Sequence, residues 1–144
     1  MIYDFIQDVC NILNISIPSV SFDTSNFLTK TTMAQVDISN NTIYIKKFDK
    51  PNPDQFFAIA HELRHIWQVQ NDESYFFDNY VSSDLCNSVE DYNLQIAEID
   101  ANAFAGLVMI SFFGLKPLFK GVPDSIKTNI YKHMEHLKTI EFFQ

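Results

Sequence analysis

Basic residues are scarce in this chain: ten lysines and arginines stand against eighteen aspartates and glutamates, a formal net charge of −8 over 144 residues. A surface of that sign repels phosphate backbones and anionic lipid headgroups, which argues against nucleic acid or a membrane as the main partner. Cysteine is nearly absent. Cys10 and Cys86 have no redox or metal-site spacing, so both are expected reduced and buried. Three glycines and five prolines accompany a sequence without repeats, low-complexity tracts or linkers. The opening residues, Met1 to Asp8, lack the basic region and long apolar run of a signal peptide. The apolar stretch 104–115, interrupted by Gly106, Ser111 and Gly114, is too short to span a bilayer. These absences together predict a cytoplasmic protein.

What remains is ordinary for one globular domain: 47% hydrophobic and 19% charged residues, with fourteen Phe and six Tyr. A domain of residues 1–144 buries roughly two-thirds of its unfolded surface and needs no staples. Apolar residues at Phe5, Ile6, Val9, Ile12 and Leu13 predict a helix, and Val20 and Phe22 a short strand. Residues 33–38 alternate, meet Asn40-Asn41, and continue as Ile43-Tyr44-Ile45, the pattern of a β-hairpin turning at the asparagine pair. Asn52, Pro53 and Asp54 open a helix running to about Gln70, as N-cap, first helical residue and dipole partner. Residues 71–87 are expected as loop with one short element. A second long helix should start at Ser88-Val89-Glu90-Asp91, with the acidic fourth residue, Asp91, in capping-box position, and stop at Phe113 before Gly114 and Pro117. A last helix is expected from Pro123 or Asp124 to about Ile140. The predicted class is α+β, a small antiparallel sheet packed on a helical core.

Chemistry concentrates at His61-Glu62-Leu63-Arg64-His65. Residues i and i+4 share a helix face, so both imidazoles can reach one ion, and Glu62 can lean over a water held there. Zinc suits such a donor set; it lowers the pKa of its water to about 7, and Glu62 can take the proton as the water attacks a carbonyl. A third ligand is sought on the second long helix, where Glu98 and Asp100 interrupt a stripe of Ala and Phe. Buried carboxylates must be paired or bind a metal. The two lie about 200° apart and cannot face one ion. Glu98 shares its face with the packed positions Ala97, Ala101, Phe104 and Ala105, and is chosen; Asp100 and Glu90 come next. Asn102, one turn on, is a candidate acceptor for the free ring N–H of His61 or His65.

His-Glu-x-x-His followed on a later helix by Glu-x-x-Ala-Asn-x-Phe-Ala resembles the ImmA/IrrE-type metallopeptidases of the gluzincin group. The matching residues are His61, Glu62 and His65, then Glu98, Ala101, Asn102, Phe104 and Ala105, within residues 58–67 and 97–105. The resemblance implies a zincin-like fold and a zinc-dependent endopeptidase with one Zn2+ per chain, acting on a protein or peptide substrate. Known members cleave helix-turn-helix repressors. Arg64, Trp67 and residues 107–110 depart from the family's usual pattern.

Other residues carry weaker expectations. Arg64 is read as solvated, with a pair to Asp100 as the alternative. His133 and His136 are read as a solvated face rather than a second metal site. None of the six tyrosines stands out as an oxyanion donor. The strand Thr42 to Lys46 is expected as the sheet edge nearest the metal, where an extended peptide adds by strand pairing. Two other functions fit the same residues: a zinc-stabilised protein-binding module without catalysis, and a metal-free helical interaction domain.

Overall fold

The computed structural model describes the chain apart from Leu28, Pro51, Asn79, Ser83, Asp84, Val89, Glu90, Asn93, Leu94, residues 140–144 and the side chain of Glu73. Helix α1 (Ile2–Leu13) turns Phe5, Ile6, Val9, Cys10 and Leu13 inward, at the spacing that gives a helix one apolar stripe. Asn14 ends it at φ 55°, a left-handed conformation that asparagine tolerates better than most side chains.

Strands β1 (Ser19–Ser21), β2 (Ala34–Asp37) and β3 (Thr42–Ile45) follow. The β2–β3 hairpin forms as read, with Asn41 at φ 47° in its turn. The sheet, however, is mixed rather than antiparallel: its order is β1-β3-β2 and β1 runs parallel to β3. The long connection 22–33 makes this possible, because parallel neighbours need a crossover that a tight turn cannot supply. β3 is therefore the middle strand, with Ile43 and Ile45 fully buried and both its edges paired. A peptide has no place to add along Thr42–Lys46, and the strand lying along the metal-motif helix is β2.

That helix, α2 (Pro53–Phe77), begins as expected: the Asn52 side chain accepts the Asp54 N–H at 2.8 Å, with Pro53 in the first turn. Gln55 donates to the carbonyl of Lys46 at 2.6 Å and fastens the helix to the end of β3. α2 extends beyond Gln70, across a break at Asp72 (φ −163°, ψ 77°). The Asp72 carboxylate accepts the Tyr75 N–H at 3.2 Å, so it caps the last turns much as Asn52 caps the first. The first part of the segment expected as loop is thus helical.

The expected start at Ser88 falls partly outside the described residues, at Val89 and Glu90. Ser88 does accept the Asp91 N–H at 3.0 Å, but Gln95 is extended (ψ 141°) and α3 spans Ile96–Phe113. The Gln95 amide accounts for the interruption: it takes the Val81 N–H at 2.7 Å and donates to the Val81 carbonyl at 2.8 Å. Gly114 ends α3 at φ 65°. Helix α4 (Asp124–Leu137) packs on it through Ile126, Ile130, Met134 and Leu137. The fold is α+β, with α3 in the middle.

α3 has the length and apolarity of a membrane span, 18 residues at mean hydropathy 1.5, and 61% of it is buried within the fold. A helix apolar on all sides is a core helix when other elements enclose it. α2 and α4 do so here. The α3–α4 contact depends on Gly106, where an added Cβ would lie 3.0 Å from Pro117 Cγ and 3.3 Å from Met134 Cε. Gly106→Leu should destabilise the protein by about 1–3 kcal/mol, the usual cost of overpacking. Chemical denaturation checks this, and an unchanged midpoint would reject the close contact.

Candidate metal centre

The i, i+4 spacing on α2 puts the rings of His61 and His65 side by side, their Nε2 atoms 3.2 Å apart. α3 brings Glu98 up against both: Oε1 lies 3.2 Å from His61 Nε2, and Oε2 lies 2.9 Å from His65 Nε2. One donor atom from each of the three residues falls within 4.8 Å of the others, close enough to share one cation. Among the described residues this is the group with metal-ligand spacing. The donor chemistry suits a divalent cation, since imidazole nitrogen and carboxylate oxygen are the ligands of open zinc sites.

Electrostatics follow from the depth of the pocket. Glu98 is 1% exposed. Burial opposes its ionisation, but the charges and hydrogen bonds of His61 and His65 outweigh that and hold its carboxyl well below the usual range. Burial likewise opposes the charging of His65, and the Glu98 carboxylate overcomes it, raising the imidazole to about 9. His65 and Glu98 therefore form an ion pair, in which a divalent cation would take the place of the imidazolium proton. Glu62 is partly exposed beside them. Desolvation raises its carboxyl; the two histidines pull it back, Glu98 pushes it up, and the backbone N–H of Val36 on β2 favours its charged form.

The second carboxylate of α3 faces the other way, as the 200° separation requires. Asp100 accepts from Arg64 twice, Nε at 2.7 Å and Nη2 at 3.0 Å. It also meets His133 Nε2 on α4 at 2.7 Å and the Gln68 amide at 2.8 Å. Burial would raise its carboxyl, but these hydrogen bonds and the Arg64 charge together lower it below the usual range. Arg64 is thus a buried partner of Asp100, not a solvated residue, with its guanidinium stacked 3.6 Å over the Trp67 ring. His133, read as solvated, is held by Asp100; His136 remains exposed beside it. A cleft of about 570 Å³ opens at this side of α2, lined by Trp67, Phe76, Ile99, Lys132 and His133 among others.

Asn102 stands one turn after Glu98 on α3, and no hydrogen bond to either imidazole is described for it. The Nδ1 of His65 meets Gln68 Oε1 instead, at 2.8 Å. Gln68 sits one turn beyond His65 on the same face, and that spacing was the one sequence signal for it. Two tyrosines also join the centre. The Tyr80 hydroxyl lies 3.4 Å from Glu98 Oε2 and 3.3 Å from the Tyr92 hydroxyl, and its one hydrogen can serve either. Burial first, then the Glu98 charge, pushes both phenols up. Tyr92 reaches Glu98 because the chain bends at Gln95; a continuous helix would have carried it more than a turn away.

Comparison with protein-family models, with curated proteins and with solved structures finds no match. The Asp100 cluster gives a direct test of how the helices are locked. Asp100→Ala leaves the Arg64 guanidinium buried without its partner and should destabilise the fold by about 3–5 kcal/mol, whereas replacing both residues by apolar ones should recover most of that loss. A double-mutant cycle in urea measures both, and additive losses would rule out the pairing.

Proposed function

We propose that this chain is a zinc-dependent metallopeptidase, with His61, His65 and Glu98 as metal ligands and Glu62 as general base. The observation that carries the proposal is the convergence of two imidazole Nε2 atoms and a buried carboxylate, with a second, partly exposed carboxylate one residue after the first histidine. Zinc, when bound, would supply a Lewis acid and a water of pKa about 7. Glu62, its proton affinity raised by burial, takes a proton from the attacking water and returns it to the leaving amine nitrogen, the two halves of general acid–base work. Tyr80 reaches Glu98 Oε2, the oxygen that also meets His65, with the Tyr92 hydroxyl beside it.

The resemblance to ImmA/IrrE-type enzymes points to the same ligand set, and it suggests a regulatory protein as substrate. A purified chain should carry about one zinc per molecule. Glu98→Ala should lose it. Glu62→Gln should keep the zinc and lose cleavage by at least about 100-fold, the lower range of general-base effects. A Glu62→Gln variant with full activity ends the mechanism; zinc retention without cleavage by the unaltered chain favours the non-catalytic binding module.

Substrate approach is assigned to β2. Lys46 N–H donates to the Met33 carbonyl at 2.9 Å, so residues 33, 35 and 37 bond to β3 while the backbone groups of Ala34 and Val36 point to the outer edge. That edge carries no strand among the described residues and runs past Glu62, whose carboxylate takes the Val36 N–H, so a peptide would pair with the Ala34 groups and the Val36 carbonyl. A peptide pairing there gains main-chain hydrogen bonds whatever its sequence. Substrate peptides N-methylated at alternate residues should split into cleaved and uncleaved sets; equal cleavage of all positions would exclude strand pairing.

A further inference from the structure

We infer that Gln68 is a positioning residue of the centre: it holds His65 in the tautomer whose Nε2 is free to bind a cation, and Asp100 holds Gln68. The inference rests on the metal part of the proposal above and not on peptide cleavage.

Hydrogen-bond direction makes the case. A glutamine amide has one donating and one accepting end. One end of Gln68 lies 2.9 Å from the Ala97 carbonyl oxygen and 2.8 Å from Asp100 Oδ2. A carbonyl only accepts, and a carboxylate gripped by Arg64 does the same, so this end is the NH2 group. The other end is the oxygen, 2.8 Å from His65 Nδ1. An oxygen there accepts, so Nδ1 carries the hydrogen. In the ion pair Nε2 donates its own proton to Glu98 Oε2 at 2.9 Å; a cation that displaces this proton leaves a neutral ring whose one N–H is on Nδ1 and whose lone pair is on Nε2.

The reverse orientation is expensive. It would set the amide oxygen against two other oxygens and leave buried donors and acceptors unpaired, and a buried polar group without a partner loses the whole of its hydration. Gln68 is fully buried, so water cannot relieve it. Asp100 cannot turn away either. Its two oxygens receive Arg64 Nε, Arg64 Nη2, Gln68 Nε2 and His133 Nε2, which fills the roughly four acceptor sites of a carboxylate. The helix carrying His133 thereby reaches the metal ligand through two intervening side chains.

Long-range 1H–15N NMR of the zinc-loaded chain reads the assignment directly. His65 should show a protonated Nδ1 and an unprotonated Nε2. Gln68→Met keeps the length of the side chain and removes both amide ends. It should weaken zinc binding, measured by chelator competition, by about 10–100-fold, the usual effect of losing such a partner, with the circular dichroism unchanged. His133→Phe should shift affinity in the same direction by less. A protonated Nε2 in the zinc-loaded, unaltered chain overturns the inference even if Gln68→Met does not fold, and so does a folded Gln68→Met with unaltered zinc affinity. A chain that takes up no zinc overturns this inference and the proposed function together. One that binds zinc through His65 Nε2 yet cleaves no peptide overturns the peptidase reading alone.

Discussion

Two carboxylates lie inside an apolar helix, and each would cost several kcal/mol if left there without partners. That requirement organises the helical half of the molecule. Glu98 is met by two imidazoles from α2, and Asp100 by a guanidinium from α2 and an imidazole from α4. Because the two point to opposite sides of α3, one helix serves a site and a structural lock at once. Gln68 touches both clusters, so neither is independent of the other.

Exposure rises in steps from the floor of the centre to its mouth. The Glu98 side chain is 1% exposed, His65 8% and His61 15%, with Glu62 partly open beyond them. The buried end sets charge and orientation, where a low dielectric strengthens every interaction. Under the proposed function, the open end is where a substrate carbonyl and a water would meet, beside the outward backbone of β2. A group buried at Glu62's position would be rigid but unreachable; one fully solvated would keep an ordinary carboxyl. Its intermediate depth is what allows a raised proton affinity together with access.

Local signals were legible in the sequence. The cap at Asn52, the turn at Asn41, the stop at Gly114 and the pairing of His61 with His65 all depend on residues within four positions of one another. That Glu98 and Asp100 face different partners was also legible, since helix geometry separates them, and the packed residues Ala97, Ala101, Phe104 and Ala105 pointed to Glu98 as the one that joins His61 and His65. Contacts between distant segments were not. Nothing near Tyr80 or His133 announces a partner, and the parallel pairing of β1 depends on where the 22–33 connection runs. The bend at Gln95 depends on Val81, across a loop. Arg64 was misread because a buried arginine looks like a surface one until its carboxylate is found.

The outer edge of β2 has a cost that concerns the protein in concentrated solution. Outward N–H and C=O groups that would accept one extended segment accept any other, including the same strand of a second copy, the first step of edge-to-edge aggregation; the Val36 N–H, held by Glu62, is withdrawn from such pairing. Two further features limit it. β2 is four residues long, too short to hold a foreign strand by backbone pairing alone. It also ends at Asp37, whose carboxylate is tied to Ser39 and Asn40 and keeps a negative charge at the strand's exit. Two such edges meeting side by side would bring like charges into the pairing, which disfavours self-association while leaving the strand open to an uncharged segment.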